Sequence, residues 1–298
     1  MAHLAMAHLL YGHSHQPSEK GVGGSMGDLE GKVALITGAA RGQGRSHAVA
    51  LAEEGVDIIA LDLCADIDTV WYPLATADDL AETARLVEAQ GRRAVTQVAD
   101  VRDLDSLAAA VEAGVAELGR LDIVLANAGI APSMSPASDP AASWRNVIDV
   151  NLTGVWNTAF ATKRAIAKGK RGGSIVITSS TAGLKGMADG SPSAQAYVAS
   201  KHALVGLMRS LALELASRSI RVNSVHPTGV ATPMVLNEPM QAWIQENAAL
   251  AASGLQNALP VELIEASDVT NAILWLVSDK ARYITGVALP VDAGITIR

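Results

Sequence analysis

Aromatic side chains are scarce in this 298-residue chain: five Trp, four Tyr and one Phe make up 3% of it. Its core must therefore be filled by Ala, Val, Leu and Ile, and small residues of that kind suit helices packed close to their neighbours. A single cysteine, Cys64, excludes an intramolecular disulfide framework and fits a reducing cytoplasm. No uninterrupted apolar run is long enough to span a bilayer. Basic clusters are missing as well, and a net charge of −7 makes nucleic acid an unexpected partner. His47 and His202 fall within helical patterns without metal-ligand spacing, so no zinc site is expected.

What remains is ample for one core, since 49% of the residues are hydrophobic. Residues 1–26 stand apart, holding His3, His8, His13 and His15, four of the seven histidines. Such a tract reads either as metal-binding or as a loose, tag-like or mis-started extension, and the second is expected here. It lacks the charged start and apolar stretch of a secretory signal. A second start, Met26-Gly27-Asp28, precedes the first strand pattern, and one domain is expected over 27–298.

From Lys32 onward, apolar runs alternate with amphipathic stretches. Strands are expected at Val33–Thr37, Asp57–Asp62, Ala94–Val98, Ile123–Ala126, Ser174–Thr178, Arg221–His226 and around Val287–Val291. Helices are expected at Gly44–Glu54, Ala77–Gln90, Leu104–Leu118, Trp144–Ala167, Ala196–Ala216 and Val269–Val277. This alternation predicts an α/β fold, a doubly wound, Rossmann-like parallel sheet with helices on both faces. Two stretches break the rhythm: an insertion at 63–76 and a long segment at 228–263 with Pro233, Pro239 and Pro260. Loops of that length are usually functional lids or disordered segments.

The chemistry-bearing features are few. Thr37-Gly38-Ala39-Ala40-Arg41-Gly42-Gln43-Gly44 joins a strand to a helix, where glycines let backbone N–H groups approach a pyrophosphate at the helix N-terminus. The spacing G-x-x-x-G-x-G departs from the usual dinucleotide fingerprint. Asp62 ends the second strand, where a carboxylate accepts from ribose hydroxyls and repels a 2′-phosphate, favouring NAD over NADP. Arg41, inside the turn, would instead attract a phosphate. Tyr197 and Lys201, four apart on a helix, lie on one face. An ammonium beside a phenol is expected to lower its pKa and make it a usable acid or base. Alone, that pair also fits a chance surface arrangement.

Together these residues resemble the short-chain dehydrogenase/reductase family over about residues 29–298. The resemblance implies a glycine turn at Gly38, Arg41, Gly42, Gln43 and Gly44, with Asp62 and Leu63 beside the adenosine. It implies adenine contact at Asp100 and Val101, and an Asn127-Ala128-Gly129 motif steadying the sheet beside the cofactor. Pro227, Gly229, Val230 and Thr232 would pass the nicotinamide. The implied catalytic set is Asn151, Ser180, Tyr197 and Lys201. Ser180 and Tyr197 are 197 − 180 = 17 positions apart, more than is common, so Ser179 remains an alternative serine. The 63–76 insertion narrows the resemblance to a carveol-dehydrogenase-like group associated with mycofactocin, thought to hold NAD without exchange, with Trp71, Tyr72 and Pro73 as covering residues.

The resemblance implies NAD-dependent interconversion of a secondary alcohol and its ketone, with no metal, in a cytoplasmic homotetramer. Met187, Met234, Leu236, Met240 and Trp243 make the presumptive substrate loops apolar, suggesting a terpenoid or alicyclic substrate. An NADPH-dependent ketone reductase and a non-catalytic NAD-binding redox sensor are the competing readings. His226 is expected to be structural rather than catalytic.

Overall fold

The computed structural model describes residues 29–131, 139–186, 191–246 and 256–298, apart from the side chains of residues 243 and 244. The histidine-rich tract at 1–26, Met187 and the Trp243 side chain therefore lie outside the described residues.

Seven strands form one sheet: Val33–Thr37 (β1), Asp57–Asp62 (β2), Ala94–Val98 (β3), Ile123–Ala126 (β4), Gly173–Thr178 (β5), Ile220–Pro227 (β6) and Ala288–Val291 (β7). Their order is β3-β2-β1-β4-β5-β6-β7, and every neighbouring pair is parallel. The connecting helices are Gly42–Glu53 (α1), Ala77–Glu88 (α2), Leu104–Leu118 (α3), Pro140–Ile148 (α4), Gly154–Lys168 (α5), Pro192–Leu215 (α6), Glu238–Glu246 (α7) and Ala266–Val277 (α8). Strand order reverses between β1 and β4, and the crevice at their carboxyl ends is where such sheets bind ligands.

Every residue of β1 and β4 is buried, because both sheet faces are covered. Alternate strand residues feed two separate cores. Leu35, Ile59, Val124 and Ile175 pack with Leu107, Ala159 and Met208. Ala34, Ile36, Ile58 and Leu125 pack with Ala48, Leu51, Leu80 and Ile273 on the other side. A third cluster joins Ile67 of the insertion to Val101, Ile130, Val147, Val150 and Ala196, so residues 63–76 are packed into the domain beside the crevice.

Element ends differ from the expectations where caps or prolines decide them. α6 starts at Pro192 rather than Ala196, with Ser191 accepting from the Ala194 N–H. The expected 144–167 helix begins at Pro140 and is interrupted by a π-helical turn at Asp149–Thr153. The 228–263 segment contains α7, whose second residue, Pro239, needs no helical hydrogen-bond donor there.

Where α1 meets α8, Thr270 Oγ1 is hydrogen-bonded to Ser46 Oγ (2.8 Å) and His47 Nδ1 (2.7 Å). His47 is fully buried, its Nε2 has no partner, and burial lowers its pKa to about 3. The folded protein thus holds this ring neutral while the unfolded chain takes up a proton below pH ~6.5. The stability this contributes is fully present above that pH and is lost progressively as pH falls toward 3, by at most about 5 kcal/mol. Denaturant titrations at about pH 7 and about pH 4 should differ less in His47→Gln than in the native protein; equal differences would remove His47 from acid sensitivity.

Candidate active site

The first turn of α1 is open to an anion. α2, α3, α4 and α6 begin with side-chain caps from Thr76, Asp103, Asp139 and Ser191. α1 begins at Arg41 with no side-chain cap and no acidic residue in its first turn. Its leading N–H groups carry the helix's partial positive charge. The turn is tight: a Cβ on Gly38, which has φ +66°, would come 2.9 Å from Ala128 Cα, and one on Gly44 would strike the Gly38 carbonyl oxygen.

A cleft of about 1140 Å³, counted out to its open mouth, runs from this turn to the centre of the sheet edge. Gly38, Arg41, Gly42, Gln43, Gly44, Asp62, Leu63, Asp100 and Val101 line one part of it. Asn127, Ala128, Gly129, Tyr197, Lys201 and Thr232 line the rest. Gln43 Oε1 is buried without a protein partner, as an acceptor reserved for a ligand would be. Pro227, Gly229 and Val230 are not on the cleft surface; they carry the chain from β6 to Thr232, and Val230 is buried.

Asp62 and Asn127 hold this edge together. Asp62 Oδ2 accepts from the Ala40 N–H (2.9 Å), which ties the second strand to the glycine turn. Asn127 Nδ2 donates to the carbonyls of Thr37 (3.1 Å) and Gly38 (3.2 Å), and its Oδ1 accepts from Thr178 Oγ1 (3.2 Å). One amide thus links the ends of β1, β4 and β5. Asp100 is paired with Arg102 (2.6 Å), and hydrogen bonds from that neighbour hold its carboxyl below the usual range despite burial.

The four expected catalytic residues converge from three elements. The Ser180 hydroxyl lies within hydrogen-bonding reach of the Tyr197 phenol and accepts from the Ala182 N–H (3.1 Å). Ser179 is different: it is buried, and its hydroxyl donates to the Lys201 carbonyl (3.1 Å). Ser180 is thus the serine beside the phenol, while Ser179 lines the cleft with its hydroxyl committed to the helix backbone. Asn151 lies in the π-helical turn, fully buried, with its amide bonded both ways to the Ile130 backbone (2.8 Å each). Its side chain is consumed there, and π turns of this kind often mark functional sites.

One expectation is corrected. Lys201 was expected to lower the Tyr197 pKa, but burial pushes the phenol above its usual value and only the Ser180 hydrogen bond pulls it down. The ammonium stands over the ring, 5.5 Å from its centroid, and donates to the Thr178 carbonyl (3.0 Å) rather than to the phenol oxygen. Burial lowers Lys201 to about 8, so it is still mostly charged near neutrality.

Of the expected covering residues, Tyr72 lines the cleft and Trp71 and Pro73 do not; Ala65, Ile67, Leu74 and Ala75 of the insertion line it too, which the sequence reading did not place. Three bonds pin the strap: Arg41 donates to the Pro73 carbonyl (2.7 Å), the Ala131 N–H donates to Tyr72 Oη (3.1 Å), and Asn146 donates to Thr69 (2.9 Å). Tyr72 is buried, which pushes its phenol up to about 12, and it is close enough to Tyr197 for the two to interact electrostatically. The aromatic run was the sequence signal; its contact with Ala131 could not be read from it. Of the apolar loop residues, Met234 lines the cleft, Met240 is buried and Leu236 is exposed. His226 is buried between Ser224 and the Ser180 carbonyl, satisfied as expected.

Among the described residues no group of three or more His, Cys, Asp and Glu could hold a metal ion, and no helix is long and apolar enough to cross a membrane.

Comparison with known proteins agrees with this geometry. Residues 38–296 match the family described as enoyl-(acyl carrier protein) reductase. A (−)-trans-carveol dehydrogenase from Rhodococcus erythropolis is 55% identical over 282 residues, covering 92% of this chain and all of the relative. Carveol dehydrogenase from Mycobacterium avium, crystallised in complex with NAD, superposes with a TM-score of 0.84 at 47% identity, over 91% of this chain and 99% of that one. A short-chain dehydrogenase from Mycobacterium paratuberculosis bound to NAD gives 0.82 at 46% identity, over 91% and 100%. The chain belongs to the short-chain dehydrogenase/reductase family.

Proposed function

We propose that this protein is an NAD-dependent dehydrogenase that interconverts a hydrophobic secondary alcohol, terpenoid or alicyclic and carveol-like, with its ketone. The observation that carries the reading is that Lys201 and Tyr197, with Ser180 beside its phenol, stand on a cleft that also reaches an uncapped helix N-terminus. NAD fits that cleft: Gly42, Gln43 and Gly44 would hold its pyrophosphate, Asp62 its adenosine ribose, and Lys201 its nicotinamide ribose. When bound, it supplies the acceptor for hydride.

The chain's own residues handle the proton. Tyr197 takes the hydroxyl proton of the alcohol in oxidation and returns one to the carbonyl oxygen in reduction. Ser180 holds the same oxygen as its charge changes. Lys201 holds its ammonium over the phenol ring, where it would also reach the nicotinamide ribose. Asn151, fixed through Ile130, keeps its turn open so that a backbone carbonyl and a water connect Lys201 to solvent. Met234 gives the substrate end an apolar wall.

The strap supports tight retention of NAD, with mycofactocin as the agent that re-oxidises it in place. Tyr72→Phe removes one hydrogen bond of about 1 kcal/mol, so bound nucleotide should leave about fivefold faster, measured by chasing labelled NAD. Unchanged exchange would detach the strap from retention. The test of the reading itself is to denature purified protein and assay the nucleotide released. Retained NAD, turnover with an artificial electron acceptor and little turnover with added NAD support the mycofactocin-linked form. Free exchange indicates an ordinary dehydrogenase, and no hydride transfer with a panel of secondary alcohols would overturn the activity. The stacked, half-exposed Trp156 and Phe160 on α5 support assembly as a homotetramer, and the single cysteine supports a cytoplasmic location.

A further inference from the structure

Ser224 and His226 lie two residues apart on β6 and so share one face of that strand. Both are fully buried. His226 Nε2 is 2.8 Å from Ser224 Oγ, and His226 Nδ1 is 2.8 Å from the backbone carbonyl oxygen of Ser180. A carbonyl can only accept, so Nδ1 carries the proton. Burial, with Lys201 and His202 nearby, lowers the ring's pKa and keeps it neutral, which leaves Nε2 as the acceptor of the Ser224 hydroxyl. The Ser180 carbonyl thus fixes the tautomer, and Ser224 satisfies the ring's other nitrogen and holds the ring from its far side.

The clamp acts on the residue whose placement matters most. Ser180 stands just past β5, where the chain leaves the sheet for a short turn at Thr181–Gly183. Its carbonyl also accepts from the Gly183 N–H (2.9 Å), and its hydroxyl accepts from the Ala182 N–H. Local bonds within the turn set its shape but do not fix the turn relative to the sheet. The Ser179 N–H, bonded to the Val225 carbonyl (2.9 Å), ties the preceding residue to β6, and the His226 bond, made from the same strand across 46 residues of sequence, ties Ser180 itself.

We propose that His226, its ring held by Ser224, is a positioning residue that registers the Ser180 hydroxyl against the Tyr197 phenol. The proposal rests on the dehydrogenase reading above and adds two residues to it. Misplacement of a reacting group by about 1 Å can cost on the order of 100-fold in rate. His226→Leu, which keeps the bulk and loses the donor, should lower kcat about tenfold to 100-fold with little change in the substrate KM or in bound NAD. His226→Asn, whose side-chain amide can take the place of Nδ1, should recover most of that loss. Ser224→Ala should lower kcat less, in the same direction.

A pH profile separates registration from mere support. The Ser180 hydroxyl is the group that pulls the Tyr197 pKa down. The other groups facing that phenol are Lys201 over its ring and Tyr72 of the strap. If His226 holds Ser180 in place, the rise of alcohol oxidation with pH should move to higher pH in His226→Leu and Ser224→Ala and return in His226→Asn. Lower kcat with this shift and its rescue would establish the proposal. Unchanged kcat per folded site, or a loss that neither shifts the profile nor is rescued by Asn, would overturn it. If His226→Leu does not fold, Ser224→Ala and His226→Asn carry the same comparison. Absence of hydride transfer in the native enzyme would strike the dehydrogenase reading instead, whereas an active native enzyme indifferent to these changes would strike this proposal alone.

Discussion

Tyr197→Phe should lower kcat for a secondary alcohol by roughly 100- to 10,000-fold, the range general acid–base groups contribute, while the protein keeps its fold and its nucleotide. The phenyl ring preserves the packing with Ile67, Val101 and Ala196 and the surface presented to the Lys201 ammonium. Only the oxygen within reach of Ser180 is lost. The measurement is kcat beside the amount of NAD released on denaturation. Full activity with full nucleotide would remove Tyr197 from the mechanism. In the native enzyme, burial raises the phenol's pKa, so alcohol oxidation, which needs the basic form, should quicken as pH rises. Lys201, lowered to about 8 in the protein, loses its charge at lower pH than the phenol ionises. Ketone reduction, which needs the protonated phenol, should show the opposite trend.

Gly44→Ala should abolish nucleotide binding. The new methyl group would enter the space of the Gly38 carbonyl oxygen and come 2.9 Å from Ala39 Cα. Both are backbone atoms of the turn itself, so no side chain can swing aside. The turn must open, and the N–H groups of the uncapped first turn then lose their alignment. Overpacking of this kind costs about 1–3 kcal/mol in stability, while affinity for added NAD should fall at least about 100-fold, a loss of some 3 kcal/mol in binding. Calorimetric titration of nucleotide-free protein, with a thermal melt run beside it, checks both. Native-like affinity in a folded Gly44→Ala would mean that the pyrophosphate does not lie on this turn.

How much of this was legible in the chain follows from what each feature depends on. The strands were, because burial on both faces leaves near-continuous apolar runs such as Ile58–Leu61. Strand–helix alternation implied a parallel sheet covered on both faces but not its strand order; the glycine turn and the Tyr197–Lys201 pair followed from spacing, and Asn127 from the family resemblance. Helix ends were less so: α6 gains a turn from the Ser191 cap and Pro192, and α7 carries at its second position a proline that read as a loop signal. The π turn around Asn151 left no pattern in the sequence, since a wider turn changes hydrogen bonding and not composition. Ser179 and Ser180 could not be separated by position; the Lys201 carbonyl claims one hydroxyl and the Tyr197 phenol the other. Spacing placed Lys201 beside Tyr197 correctly but misjudged its effect, because the Thr178 carbonyl, distant in sequence, takes the ammonium.

The central claim is that hydride leaves the carbinol carbon of a substrate held by Ser180 and Tyr197 and arrives on a nucleotide in this cleft. A secondary alcohol such as carveol, carrying deuterium at its carbinol carbon, tests it in a single turnover, with the released nucleotide weighed by mass spectrometry. The account predicts one deuterium on the nucleotide from the native protein and almost none from Tyr197→Phe. Unlabelled nucleotide from a protein that has formed ketone, or equal labelling in the two proteins, would contradict it.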